Sequence, residues 1–372
     1  MNDYTIRLLI PFASIISFIM VFLSIPTILR VAHQKNLFDE PNKRTVHRVR
    51  IPTLGGLAIF IGFLFTYSLF VDWFEFPEIP FLIPALLIVF GIGIKDDILV
   101  TAPMVKLAGQ LIAAIIIVGL GGLRITDFHG FFGLHPDPLW SVIFTIVGIV
   151  FIVNGFNLID GIDGLAAITG IISILSFSIW FYINGYFHIP VLASALVGGL
   201  FAFGYYNIFS KRQKIFMGDT GSLLLGFILA VVAIKFSEFN RPDNRADLIH
   251  TMNSAPAVAL AILIVPVVDT LRVFFLRISR GDSPFTADKN HIHHRMLTLG
   301  FTHLKISLII GGVNIAFIIL AFILRNLGVL KLTILIISLG LAVVNIPSIV
   351  LFYKRRHLIH RLKQIRMRKK QE

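Results

Sequence analysis

Residues 139–183 read LWSVIFTIVGIVFIVNGFNLIDGIDGLAAITGIISILSFSIWFYI. Two apolar runs, Leu139–Phe156 and Leu165–Ile183, meet at a polar knot, Asn154-Gly-Phe-Asn157-Leu-Ile-Asp160-Gly-Ile-Asp163-Gly164. Each run approaches the roughly 20 residues that a helix needs to cross a hydrocarbon core. Neither carries a charged residue, so neither offers the polar face of a helix on a water-soluble protein. The segment therefore reads as two membrane spans joined by a short loop that holds acids and amides.

The same pattern repeats along the chain without an internal sequence repeat. Of 372 residues, 56% are hydrophobic and 14% charged, with 35 Phe; soluble domains carry about 25% charged residues. This excludes a soluble enzyme, a disordered chain, a collagen and a disulfide scaffold. The absence of Cys excludes a thiol nucleophile. The expected fold is an all-α polytopic membrane protein with about 11 transmembrane helices: Thr5–Leu29, Gly55–Phe74, Phe81–Ile94, Val105–Leu120, Leu139–Phe156, Leu165–Ile183, Ile189–Phe209, Ser222–Ile234, Ala255–Phe275, Ile306–Leu324 and Leu332–Phe352. The first run is too long, and its flank too charged, for a cleaved signal peptide.

Charge fixes the expected orientation. Of 33 Lys and Arg residues, 25 fall on the side of the loop after the first span and seven on the other, with Arg272 inside a span. The positive-inside rule makes the richer side cytoplasmic, with the N-terminus outside and the C-terminus inside. The net charge of +13 then reflects topology and anionic lipid, and no nucleic-acid partner is expected. Residues 1–353 read as one domain with cytoplasmic loops at 31–54, 94–106, 154–164, 210–222 and 278–304. Residues 354–372 read as a basic amphipathic tail on the anionic leaflet, with Leu358, Leu362 and Ile365 at helical spacing.

The unusual polar residues gather in those loops. Asp96-Asp97 places two carboxylates side by side, which calls for a cation nearby: a divalent metal, Lys95 or Lys106. Asn154, Asn157, Asp160 and Asp163 recur every three residues, so they wrap around a helix end, and their oxygens suit Mg²⁺. Helix capping explains one or two of them, not four. Phe216-Met-Gly-Asp219-Thr-Gly-Ser222 opens a span, where free backbone N–H groups attract phosphate. There Asp219 can hold a metal and Phe216 can stack on a base, although a lone Phe more often faces lipid or core. His291, His293 and His294 stand too close in sequence to ligate one zinc ion easily. Lys289, Arg280 and Arg295 nearby favour an anion, so these histidines read as phosphate donors. Acids for a divalent ion, a helix start and cationic donors together are the parts of a phosphoryl-transfer site.

In this order the four motifs resemble those of the polyprenyl-phosphate N-acetylhexosamine-1-phosphate transferases, over nearly the whole chain. The stretch Asp39–His47, followed by Ile51-Pro-Thr-Leu-Gly-Gly56, resembles the family's first cytoplasmic loop. His-Ile-His-His after Ser283-Pro-Phe resembles the bacterial members that begin O-antigen, enterobacterial common antigen or teichoic-acid linkage units; the related muramoyl-pentapeptide translocases carry a different His-rich loop. The resemblance implies transfer of N-acetylglucosamine 1-phosphate from UDP-GlcNAc to undecaprenyl phosphate in a bacterial inner membrane, with release of UMP. It also implies Mg²⁺, or Mn²⁺, held by Asp219 and Asn157. Asp96 and Asp97 would lie by the lipid phosphate, and Phe216 and Asp163 by uracil. The three histidines and Arg280 would hold pyrophosphate or sugar, with Lys106, Asn154 and Asp160 among the substrate contacts. Lys95 departs from the pattern, standing where a neutral or acidic residue is expected. A homodimer is left open, as is the sugar: UDP-GalNAc and a 6-deoxy N-acetyl sugar remain alternatives.

Two rivals fit less well. A transporter would place its charges near the bilayer midplane and usually show a repeat. A CDP-alcohol phosphotransferase would follow Asp160-Gly-Ile-Asp163-Gly-Leu-Ala with an Arg and further aspartates, which are absent.

Overall fold

Every regular element among the described residues is a helix, the arrangement that satisfies the backbone within each segment in lipid. The computed structural model describes residues 3–37, 51–71, 78–99, 101–130, 136–241, 249–281 and 291–368, without the side chains of 3–5, 355 and 357–368. The first-loop stretch Asp39–His47 and the segment Ser283–Asn290 lie outside the described residues.

The helices are α1 (Asp3–Lys35), α2 (Gly55–Phe70), α3 (Ile79–Leu99), α4 (Pro103–Ile115, extended by a π-turn to Leu120) and α5 (Pro138–Ile159). There follow α6 (Leu165–Ile183), α7 (His188–Gly204, extended by a π-turn to Phe209) and α8 (Gly218–Phe239). The chain closes with α9 (Ala255–Ile262), α10 (Ile264–Ile278), α11 (Ile292–Thr298), α12 (His303–Ile323) and α13 (Val329–Arg368). Among the described residues, nine helices are individually long and apolar enough to cross a membrane: α1, α3 to α8, α12 and α13. The second expected span is α2, an apolar helix of 16 residues. The basic tail continues the helix of the last run, unbroken, through Arg368.

The ninth expected span differs from a straight helix: α9 and α10 meet at 81°. Pro266 has no N–H to offer the Ile262 carbonyl one turn earlier. Two side chains supply that donor instead, Ser173 Oγ from α6 at 2.9 Å and Asn314 Nδ2 from α12 at 3.2 Å. The break is thus satisfied by neighbouring helices, as a polar backbone group at membrane depth requires.

α7 and α8 are enclosed by other helices along most of their length. Small residues permit the close approach: Gly198 of α7 lies against the Ser14 backbone of α1, and Gly226 of α8 against Val153 and Phe156 of α5. Outward faces are apolar, as at Leu8, Phe12, Ile15 and Leu23 of α1 and Ile346, Ile349 and Phe352 of α13. This packing brings the C-terminal ends of α3 and α5, the first turns of α4 and α8, and α11 into one neighbourhood.

Candidate active site

The two adjacent acids of α3 face different partners. Asp96 Oδ1 accepts from the Thr101 N–H at 2.6 Å and its hydroxyl at 2.7 Å, while Oδ2 lies 2.6 Å from Lys106 Nζ. Asp97 turns to α8: Oδ1 accepts the Asp219 N–H at 2.7 Å, and Oδ2 accepts the Thr220 N–H at 3.0 Å and its hydroxyl at 2.5 Å. The expected phosphate cradle at this helix start is therefore filled by the protein's own anion, because a carboxylate supplied from α3 answers the same free N–H groups. Gly218, at φ +72°, leads into α8. A Cβ there would strike the Asp97 carboxylate and the Thr53 carbonyl.

Lys106, in the first turn of α4, also pairs with Asp219 and so bridges it to Asp96. Asn157 of α5 hydrogen-bonds to Asp219 and donates to Ser222 Oγ at 3.0 Å. Asp160 caps the C-terminal end of α5, where the helix dipole disfavours a negative charge. Burial raises its carboxyl pKa well above the usual range, and Asp219, Asp97 and Asp163 add to the rise against one hydrogen bond from the Gly218 N–H. This is an anionic centre built from hard oxygen donors, with Lys106 as the cation that Asp96 and Asp219 share.

Asp163 stands beside it. Burial raises its pKa, but His303 and Lys214 outweigh burial and hold the carboxyl below its ordinary value. Lys214 Nζ lies 2.6 Å and His303 Nδ1 2.9 Å from Oδ2, and Oδ1 is buried with no hydrogen-bond partner among the described residues. Lys214 Nζ also lies 5.9 Å from the centre of the Phe216 ring. Phe216 is held by backbone pairing: its N–H donates to the Pro52 carbonyl at 2.9 Å and its carbonyl accepts from the Gly55 N–H at 2.9 Å. That pairing gives Ile51-Pro-Thr-Leu-Gly-Gly56 its task of setting the register of the strip before α8.

The histidines close the other side. His293 lies against Gly161, where a Cβ would collide with its ring. Its ring pKa is lowered to about 3, by burial first and then by His294. His291 and His293 stack with ring centres 5.8 Å apart, and His294 lies tilted against His293 with centres 4.3 Å apart.

The structure thus brings together Asp96, Asp97, Lys106, Asn157, Asp160 and Asp219, with Asp163, Phe216 and the histidines around them. Two expected residues stand apart. Asn154 pairs with Gln110 of α4, donating at 2.6 Å. Arg280 is exposed after α10 with no side-chain hydrogen bond or ion pair among the described residues, while Arg277 one turn earlier is buried. The sequence reading missed Asp269, Thr220, Lys214 and His303 as partners. An acid inside a span is the signal that marks Asp269; the others carry none.

Among the described residues no three His, Cys, Asp or Glu side chains converge as a metal cage. Mg²⁺ needs no such cage, since it binds through one or two carboxylates together with substrate phosphates and water. Asp219 and Asp96, which already share one cation, fit that mode.

Residues 79–237 match the model of glycosyl transferase family 4, a stretch that holds every acid and amide of the anionic centre and leaves out the histidines. The chain is similar to three bacterial proteins, each named undecaprenyl-phosphate alpha-N-acetylglucosaminyl 1-phosphate transferase. The one from Escherichia coli (strain K12) is 28% identical over 277 residues, 73% of this chain and 72% of that protein. The one from Yersinia pestis is 28% identical over 290 residues, 77% and 75%. The one from Haemophilus influenzae is 27% identical over 304 residues, 80% and 82%. The matched stretch, the similarity along three quarters of the chain and the site they enclose agree: the chain is similar to glycosyl transferase family 4 through the part that carries the anionic centre.

Proposed function

We propose that the protein transfers N-acetylglucosamine 1-phosphate from UDP-GlcNAc to undecaprenyl phosphate and releases UMP, as a first membrane step of cell-envelope polysaccharide synthesis in the bacterial inner membrane. The observation that carries this reading is the sharing of Lys106 by Asp96 and Asp219 beside the Asp97-capped start of α8. That arrangement suits a pyrophosphate and its counter-ion, and the family match and the names of the similar proteins support the substrates. The positive-inside count supports a cytoplasmic face for the site and eleven crossings, with α2 and the bent α9–α10 pair completing the nine long helices.

In the reaction, an oxygen of the lipid phosphate attacks the β-phosphorus of UDP-GlcNAc. The bond from that phosphorus to the bridging oxygen breaks, and UMP leaves with the electron pair. The nucleophile is a phosphate monoester with a second pKa of about 6, dianionic at neutral pH, so it needs no strong base. Asp97 accordingly acts by holding α8 and Asp219 in place. Asp219, with Asp96 and Asn157, would hold Mg²⁺ or Mn²⁺, which supplies charge neutralisation at the phosphates. Lys106 exchanges its carboxylate partners for phosphate oxygens when substrate arrives. His291, His293 and His294 line the place of the sugar and pyrophosphate, with Arg280 outside the cluster, and Phe216 beside Lys214 and Asp163 receives the base. One pyrophosphate bond replaces another, so the step runs close to thermoneutral and is reversible.

The test is UMP release by the purified full-length protein in detergent, with and without undecaprenyl phosphate, and with Mg²⁺ or EDTA. Release that requires both lipid and metal is the expected result. Release with a different UDP-N-acetylhexosamine alone would keep the mechanism and change the sugar. No release from a folded preparation with any UDP-sugar would overturn the reading.

A further inference from the structure

Behind the histidines lies an acid that the reaction above does not use. Asp269 sits on α10 just past the break, in a stretch that reads as membrane span, and is 1% exposed. An ionisable group at such a position is costly and seldom without a task. Its Oδ1 accepts the Ile292 N–H at 2.9 Å, and its Oδ2 lies 2.9 Å from His291 Nδ1. Both oxygens are therefore committed to two consecutive residues at the start of α11.

The chemistry of this pair fixes a proton. A carboxylate only accepts, so the hydrogen between Asp269 and His291 belongs to Nδ1. That leaves Nε2 as the other end of the ring, and it is buried with no hydrogen-bond partner among the described residues. His293, 1% exposed, stacks on His291 at an interplanar angle of 10°, and among the described residues both of its ring nitrogens also lack partners. Buried polar atoms are nearly always paired, so three such atoms on two stacked rings mark a place completed by another molecule. A hydrogen bond that sets the tautomer of a working imidazole from behind is a general device, and its loss costs rate more than binding.

Building on the transferase reading, we propose that Asp269 is a positioning residue: it fixes the orientation and the Nδ1–H form of His291, so that Nε2, the accepting end of the ring, is presented to a hydroxyl or N–H group of the sugar. Anchoring of α11 through the Ile292 N–H alone is the competing role. The two separate in Asp269→Asn. An Asn oxygen still accepts from Ile292, but its NH₂ now faces Nδ1 and forces the ring hydrogen onto Nε2.

The experiment measures steady-state UMP release by the full-length Asp269→Asn, His291→Gln and doubly substituted proteins. Asp269→Asn is expected to lower kcat by roughly 10²-fold or more, with KM for UDP-GlcNAc within about threefold of the parent. The double substitution is expected to be no slower than the slower single one, because both remove one device. A parental kcat in Asp269→Asn, or in His291→Gln, would overturn the proposal, and so would losses that multiply. A second measurement needs no turnover and stands apart from the transferase reading. In a ring-¹⁵N spectrum of the parent protein, the His291 signal, identified by its loss in His291→Gln, is expected to report a protonated Nδ1. An unprotonated Nδ1 there would overturn the proposal even where the Asn variant does not fold and even where no sugar is transferred.

Discussion

The acid side and the histidine side of the site are held by opposite means. On the acid side, charges meet charges: Asp96 and Asp219 share Lys106, and Asp97 closes the start of α8. The elements that meet there are ends of long helices, and the acids stay partly accessible. On the histidine side, His291 and His293 are buried and stacked, and position comes from one hydrogen-bonded acid and one glycine. On the transferase reading, the first side exchanges a cation or a phosphate for an internal ion pair. The second is made to keep rings still. Substitutions on the two sides should therefore fail differently, by lost charge on one and by lost geometry on the other.

The largest expected effect is on the acid side. Asp219→Ala removes a carboxylate that both Lys106 and Asn157 contact, and UMP release should fall on the order of 10³-fold in a protein that still purifies as a folded species. Residual activity within tenfold of the parent would move the centre of charge elsewhere. Next comes Asp97→Asn, which keeps one acceptor for α8 and loses the other. A fall of about 10²-fold at pH 7 is expected, without recovery at higher pH. Recovery at higher pH would give Asp97 a proton-accepting role and break the division drawn above. On the histidine side, Gly161→Ala pushes on the His293 ring. A loss of roughly tenfold in kcat with an unchanged thermal midpoint would mark it as a fault of geometry.

The same division explains what the sequence discloses. The acid side was legible because its parts are clustered: Asp96-Asp97, the Asn154–Asp163 run and the strip around Asp219 each stand out against apolar flanks. Their convergence was not legible, since no spacing says that α3 supplies the cap of α8. The histidine cluster was visible, but its support was not. Asp269 lies 22 residues before His291 inside an apolar run, and Gly161 looks like any loop glycine until His293 is laid on it. The helical fold followed from the apolar runs, whereas the 81° bend depends on Ser173 and Asn314 arriving from other helices to satisfy the Ile262 carbonyl freed by Pro266.

The smallest expected effect separates the two sides by pH. His293 is neutral in the folded protein, with its pKa lowered to about 3, by burial first and then by His294, while an unfolded His takes up a proton near pH 6.5. Above that value His293 is neutral in both states and adds no slope. Between about 6.5 and 3 the unfolded chain binds more protons, so stability falls as the pH is lowered, by at most about 1.4 kcal/mol per pH unit for one group. Asp163 on the acid side has its folded pKa lowered, the hydrogen bonds from His303 and Lys214 outweighing burial. Its contribution is fully present above the unfolded value of about 3.9 and is lost only below it. The thermal midpoint of the detergent-solubilised protein should therefore decline between pH 6.5 and 4 less steeply in His293→Gln than in the parent. Asp163→Asn should leave that slope as it was. Equal slopes in the parent and His293→Gln would mean that the His293 ring is charged in the folded state, and a loosely held, charged ring would give the histidine side the same character as the acid side.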